Sequence, residues 1–180
     1  EEAGRLAIHA LLSLEEAHDK GIIHRDLKPD NLFVARAPSG EESEVCKVLD
    51  FGIAKVLRGD DGKVDALETQ AGTVFGTPRY MSPEQAQGKT LDARSDLYAL
   101  GVILYQMLVG RPPFVDDDAV VVMARHIKTV PVAPAVAAPD ANLPEALSAL
   151  VMRALAKSPD DRPPSAQVFL NELAVAIDRP

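Results

Sequence analysis

Apolar residues recur at helical spacing at the start of the chain: Leu6, Ile8, Leu11, Leu12, Leu14 and Ala17, with Glu15, Glu16 and Asp19 on the polar side. The pattern predicts an amphipathic helix over residues 1–19. Lys20-Gly21 ends it, glycine suiting the left-handed position that follows a helix. His9 and His18 lie on this helix and read as surface or packing residues, since no second metal ligand stands at suitable spacing. Leu32–Ala35 and Val45–Leu49 predict two short strands, joined by a polar loop that holds Pro38 and Gly40. From Ile53 to about Gly72 the periodicity fades into a long loop, and loops of that length inside a domain tend to be functional. Leu91–Gly110 is apolar on nearly every face and predicts a central, buried helix, too short to span a bilayer. Asp96 near its start is then expected to be buried and hydrogen-bonded. Arg111-Pro112-Pro113-Phe114 breaks the chain. Asp116, Asp117 and Asp118 open a further helix to about Thr129, acting as a solvated helix start rather than a metal site. Pro131–Pro139 reads as an irregular connector, 144–156 as a helix, 158–163 as a turn, and Ser165 as the cap of a last helix. There is no internal repeat and no second domain.

Against this pattern one polar stretch stands out, His24-Arg25-Asp26-Leu27-Lys28-Pro29-Asp30-Asn31 between two apolar runs. So polar a loop between buried elements suggests a site. It contains the run H-R-D-L-x-x-x-N. The second strand leads into Asp50-Phe51-Gly52, and the long loop closes with Gly76-Thr77-Pro78-Arg79-Tyr80-Met81-Ser82-Pro83-Glu84. On these motifs, and on Ser95–Gly101, the chain resembles the C-terminal lobe of a eukaryotic-like (Hanks-type) serine/threonine protein kinase of the bacterial kind. One departure is Ser-Pro-Glu where the family ends in Ala-Pro-Glu; the Pro and Glu are retained. The fold class expected is α+β and mainly helical, with a two-to-four-stranded β element at the active site. Residues 1–180 would form one partial catalytic domain, with an activation segment over 50–84.

The resemblance implies a site. Asp26 would accept the substrate hydroxyl's proton, Lys28 would approach the γ-phosphate of ATP, and Asn31 and Asp50 would supply hard oxygens to Mg2+, or to Mn2+ in its place. Asp30 would join the nucleotide side. Phe33 resembles the family residue beneath the adenine, although a plain core role fits its apolar setting equally. Lys28-Pro29-Asp30 and Thr77 point to serine/threonine rather than tyrosine substrates; the family threonine bonds the catalytic aspartate and lysine. Arg25 is the type of residue that receives an activation-loop phosphate, with Thr73 and Thr69 as candidate phosphosites or as plain solvated loop residues. His24, Phe51 and Gly52 would be structural. Asp96 would hold the catalytic-loop backbone, or interact with its own helix dipole, and Glu84 would pair with Arg162.

Bulk composition narrows the partners. The 180 residues are 47% hydrophobic and 26% charged, ordinary for a globular domain with a sizeable core. A net charge of −8 argues against nucleic acid or anionic membrane as the main partner. A single cysteine, Cys46, excludes an internal disulfide and fits a cytoplasmic setting. No signal peptide or bilayer-length apolar run is visible, while a membrane anchor in a longer protein stays open. The chain opens Glu-Glu without methionine and lacks a glycine-rich loop, a V-A-I-K-like lysine and a partner glutamate, which should precede residue 1. The expected partners are ATP and protein substrates. The competing readings are a pseudokinase or scaffold lobe that only binds partners and, more distantly, a small-molecule kinase.

Overall fold

A computed structural model describes residues 2–36, 44–51 and 78–178. Helix α1 (Glu2–Asp19) buries Ala7, Ala10, Leu11, Leu14 and Ala17 on one face. Its end is a Schellman motif: Gly21 at φ +73° places its N–H on the His18 carbonyl (2.9 Å) and the Ile22 N–H on the Ala17 carbonyl (2.9 Å). Strands β1 (Leu32–Arg36) and β2 (Glu44–Val48) form an antiparallel hairpin with Leu32 opposite Val48 and Val34 opposite Cys46. β2 packs on α1, burying Cys46 and Val48, and the Cys46 N–H donates to His9 Nδ1 (3.2 Å). Thus His9 serves packing and also closes a strand-to-helix bond.

After a single 3-10 turn (Pro78–Tyr80) comes α2 (Pro83–Ala86), one helical turn that Pro83 starts and Ser82 caps. Helix α3 (Ala93–Val109) is the centre of the fold, buried continuously from Ser95 to Tyr105. Asp92 caps its start by accepting the Arg94 N–H, and Gly110 at φ +83° ends it. The boundary predicted at Leu91 moves inward because Asp92 takes the cap. Helices α1 and α6 (Glu145–Ala154) pack on α3, and α7 (Ala166–Asp178) packs on α1 and α6. A Cβ added at Gly101 would stand 2.9 Å from the Ala154 Cβ, so α3 and α6 approach as closely as glycine allows. Helix α4 (Ala119–Lys128) starts at Asp118, whose carboxylate accepts the Val120 N–H, while Asp116 pairs with Arg125. The acidic run is a helix start, as expected.

The stretch expected to be irregular contains α5 (Pro134–Ala137), because Pro134 falls at a first-turn position and the Ala135 N–H finds Ser148 Oγ (3.2 Å). The architecture is α+β and mainly helical, with two strands among the described residues. No helix of the described residues is long and apolar enough to cross a membrane.

Candidate active site

The loop at 24–31 has little regular structure, so side chains must hold its backbone. Leu27 is buried and anchors it below. The His24 N–H donates to Asp96 Oδ2 (2.8 Å) and the Arg25 N–H to Asp96 Oδ1 (2.9 Å). Asp96 lies in the first turn of α3, 1% exposed, and a third donor, His18 Nε2–H, reaches its Oδ2 at 2.8 Å. A buried carboxylate is stable there because three donors replace its water. His18 is therefore a loop-supporting residue that sequence reasoning assigned to packing. Its contact spans 78 positions, beyond the reach of periodicity.

His24 is fully buried and joins the loop to the end of β2. Its Nε2–H donates to the Leu49 carbonyl (2.9 Å), and its Nδ1 accepts the Asp26 N–H (3.3 Å), which fixes the neutral Nε2–H tautomer. The Leu49 N–H in turn donates to the Asn31 carbonyl (2.8 Å). Phe51 tilts against the His24 ring at 5.1 Å between centroids. These contacts bring the segment bearing Asp50 beside the segment bearing Asn31. Pro29 starts the short turn 29–31, and Asn31, 8% exposed, donates from Nδ2 to the Asp26 carbonyl (2.8 Å). The Asn31 Oδ1 has no hydrogen bond among the described residues. Asp50 adopts φ +56°, a left-handed geometry uncommon for a non-glycine residue and frequent at functional sites.

Asp26 is exposed at its carboxylate, where Lys28 Nζ stands 3.1 Å from Oδ2. Asp30 is exposed on the same short turn. Phe33 is 55% exposed, so the core role does not hold: it lies opposite Lys47 in the hairpin, on the face turned away from α1. Gly52, Thr69, Thr73 and Thr77 lie outside the described residues.

A second polar centre lies beside the first. Arg162 grips Glu84 with both arms of its guanidinium, Nη1 to Oε1 at 2.7 Å and Nη2 to Oε2 at 2.8 Å, and Ser95 Oγ donates to Oε1 at 2.6 Å. Burial works to raise the Glu84 pKa; the bonds from Arg162 and Ser95 outweigh it and hold the carboxyl below its ordinary value. Tyr98 and His126 extend this centre. The Tyr98 hydroxyl donates to His126 Nδ1 (2.8 Å), and His126 Nε2–H donates to the Arg79 carbonyl (3.0 Å). Burial and then the Lys157 charge push the His126 pKa down to about 4, and burial and then Arg162 push that of Lys157 down to about 8. Neither Tyr98 nor His126 was singled out from the sequence.

Magnesium takes few protein oxygens and completes its shell with phosphates and water. The pair available here, the Asn31 Oδ1 that has no hydrogen bond among the described residues and the exposed Asp50 carboxylate, fits that habit. No group of three or more His, Cys, Asp or Glu side chains among the described residues could hold a metal by itself. A carboxylate and an ammonium thus stand at the surface of a side-chain-braced loop on a helical lobe, and the chain segments on either side of the His24–Leu49 and Leu49–Asn31 bonds carry two hard-oxygen donors.

Comparison with known proteins agrees. The family model for the protein kinase domain matches residues 1–173, and the chain belongs to that family. It is 51% identical over 176 residues to the serine/threonine-protein kinase pkn3 of Myxococcus xanthus, covering 97% of this chain and 31% of the relative. It is 45% identical over 153 residues to the serine/threonine-protein kinase PknB of Mycolicibacterium smegmatis, covering 85% of this chain and 23% of the relative. The fold matches the crystal structure of the Mycobacterium tuberculosis PknI kinase domain at a TM-score of 0.66 and 22% identity, over 97% of this chain and 54% of that one. The chain thus spans a third or less of these two curated relatives' length. The resemblance to bacterial Hanks-type serine/threonine kinases holds.

Proposed function

We propose that the chain is part of a cytoplasmic, ATP-dependent protein serine/threonine kinase, with residues 1–180 forming the C-terminal lobe of its catalytic domain and the activation segment at 50–84. The observation that carries the reading is the pair of bonds from His24 to the Leu49 carbonyl and from the Leu49 N–H to the Asn31 carbonyl. They tie Asp26, Lys28 and Asn31 to the segment that carries Asp50. Phosphoryl transfer asks little covalent chemistry of a protein; it asks for positioning and charge. The Asp26 carboxylate accepts a hydrogen bond from the substrate hydroxyl and takes its proton as the new P–O bond forms and the bond from the γ-phosphorus to the bridging oxygen breaks, ADP being the leaving group. Lys28 opposes the charge of the γ-phosphate while also orienting Asp26. Asn31 and Asp50 would hold Mg2+ or Mn2+, which neutralises phosphate charge when bound. Asp30 and Phe33 belong to the nucleotide side, and Thr77 to the hydroxyl-recognising side.

Arg25 is the docking group for an activation-segment phosphate on Thr73 or Thr69. Phosphopeptide mapping of the active full-length protein should find one of them modified; both unmodified would refute that part. The kinase reading is tested on the full-length protein with Mg2+ and ATP against an Asp26→Asn control. Transfer to serine or threonine that the control lacks is the expected result. No transfer above the control would leave the binding-scaffold reading, which no observation favours now.

A further inference from the structure

We propose that Gln85 is a positioning residue for Asp26, a strut that carries the order of the segment end into the catalytic loop; this rests on the kinase reading above. Arg25 has φ +66°, the left-handed region that a side-chain-bearing residue occupies only when its surroundings enforce it. Asp96 enforces it from below through the Arg25 N–H. From the other side, Gln85 Nε2 donates to the Arg25 carbonyl at 2.6 Å. The Asp26 N–H of the same peptide group donates to His24 Nδ1. The peptide plane between Arg25 and Asp26 is therefore pinned at its oxygen by Gln85 and at its N–H by His24. Those two contacts set the direction in which the Asp26 side chain leaves the backbone.

Gln85 is itself braced. Its Oε1 accepts the Ser82 N–H at 3.0 Å, and Ser82 Oγ accepts the Gln85 N–H at 3.3 Å, a reciprocal capping box at the start of α2. The amide orientation is fixed from both sides, since turning it over would set an oxygen against the Arg25 carbonyl and an NH2 against the Ser82 N–H. Glu84, next in the chain, is clamped by Arg162 and Ser95, so the strut stands on an immobile base. Of the side chains that hold the backbone around Asp26, His24 and Asn31 belong to the loop and Asp96 to the core helix. Gln85 alone among the described residues belongs to the segment end.

The capping box and the strut separate by substitution. Gln85→Glu keeps the oxygen that accepts from Ser82, and glutamate serves a capping box as well as glutamine does. It replaces the Nε2 donor by an oxygen facing a carbonyl. Gln85→Met removes both functions. In the full-length protein, Gln85→Glu should keep a melting temperature within about 2 °C of the parent. Amide hydrogen exchange in the peptide covering 24–31 should quicken while that of 82–90 stays unchanged. Turnover should fall on the order of 10- to 100-fold, as small misplacements of a catalytic group cost, with KM for ATP within about twofold. Unchanged exchange at 24–31, or unchanged turnover, would overturn the proposal. So would a Gln85→Glu loss accompanied by faster exchange across 82–90, which would make Gln85 a structural cap only. Exchange requires no turnover. A parent protein no more active than Asp26→Asn would sink the kinase reading, and the exchange comparison would still decide whether the strut exists.

Discussion

Replacing Arg162 by alanine tests how the segment end is anchored. All five N–H groups of the guanidinium are engaged: the two oxygens of Glu84, and the carbonyls of Ala156 (2.8 Å), Arg94 (3.1 Å) and Lys157 (3.1 Å). The side chain is 0% exposed and that of Glu84 7%. Arg162→Ala leaves Glu84 with Ser95 as its remaining partner in a site too dry for a lone carboxylate. Breaking a buried pair by removing one member costs about 3–5 kcal/mol. At roughly 2–4 °C per kcal/mol for a domain of this size, that is about 6–20 °C in melting temperature.

The pH dependence is a second signature. In the parent the Glu84 pKa is held below 4.5, so its stabilising share is present above that value and fades as pH falls through the folded pKa. Without Arg162 burial dominates and the folded pKa rises above the unfolded one. The variant then loses stability as pH rises, so its deficit should be widest near pH 7 and shrink toward pH 4.5. Adding Glu84→Gln removes the buried charge and should recover part of the loss. Unfolding of the kinase domain by heat or urea at pH 4.5 and 7 reads all of this. An unchanged melting temperature, or a deficit independent of pH, would refute the reasoning.

Gly101→Ala should destabilise by about 1–3 kcal/mol, as overpacking does, because its new Cβ meets the Ala154 Cβ at 2.9 Å; a stability equal to the parent's would show that α3 and α6 can separate freely. His126 is held neutral with a pKa near 4 against 6.5 for the free side chain. The unfolded chain then binds a proton that the folded one refuses between those values, so stability falls as pH drops from 6.5 toward 4. The contribution is on the order of 3 kcal/mol at most. His126→Gln should flatten that slope in a pH series of urea unfolding.

Element starts and stops were legible at several places where a single residue type decides them. Gly21 ends α1 by its left-handed φ, and Asp118 and Ser165 cap starts through side-chain oxygens, whereas the cap at Asp92 went unread and the start of α3 was placed at Leu91. The buried helix around Asp96 was legible because its apolar residues leave no polar face. The one-turn helix at Pro83–Ala86 was missed although Ser82-Pro83-Glu84-Gln85 carries a capping-box pattern; four residues are too few for periodicity to register. For Phe33 the sequence held a nucleotide-side role and a core role equally open, and the exposure of the residue removes the second. An apolar residue in an apolar run invites a core reading, yet in a hairpin only the face against α1 is covered. The links from His18 to Asp96 and from Gln85 to Arg25 could not be read at all, since each joins residues at least 60 positions apart.

Those long-range links form a closed circuit, and its shape explains why different breaks should have different consequences. Ser95 and Asp96 are consecutive on α3, so their side chains leave the helix roughly 100° apart and serve two networks at once. Asp96 holds the Arg25 N–H, and Ser95 holds Glu84. Glu84 is joined through the chain to Gln85, which returns to the Arg25 carbonyl. The 24–31 loop, core helix and segment end are thus three sides of one ring, and Arg162 ties the Glu84 corner to the chain beyond α6. Opening the ring at Gln85 leaves both neighbours anchored to α3, so the fold survives and only the aim of Asp26 relaxes. Removing Arg162 strips the corner itself, so stability goes as well. Because either break frees the same loop, Gln85→Glu and Arg162→Ala should reduce turnover per folded molecule by less together than the product of their separate effects; independent, multiplicative losses would mean the circuit is not a mechanical unit.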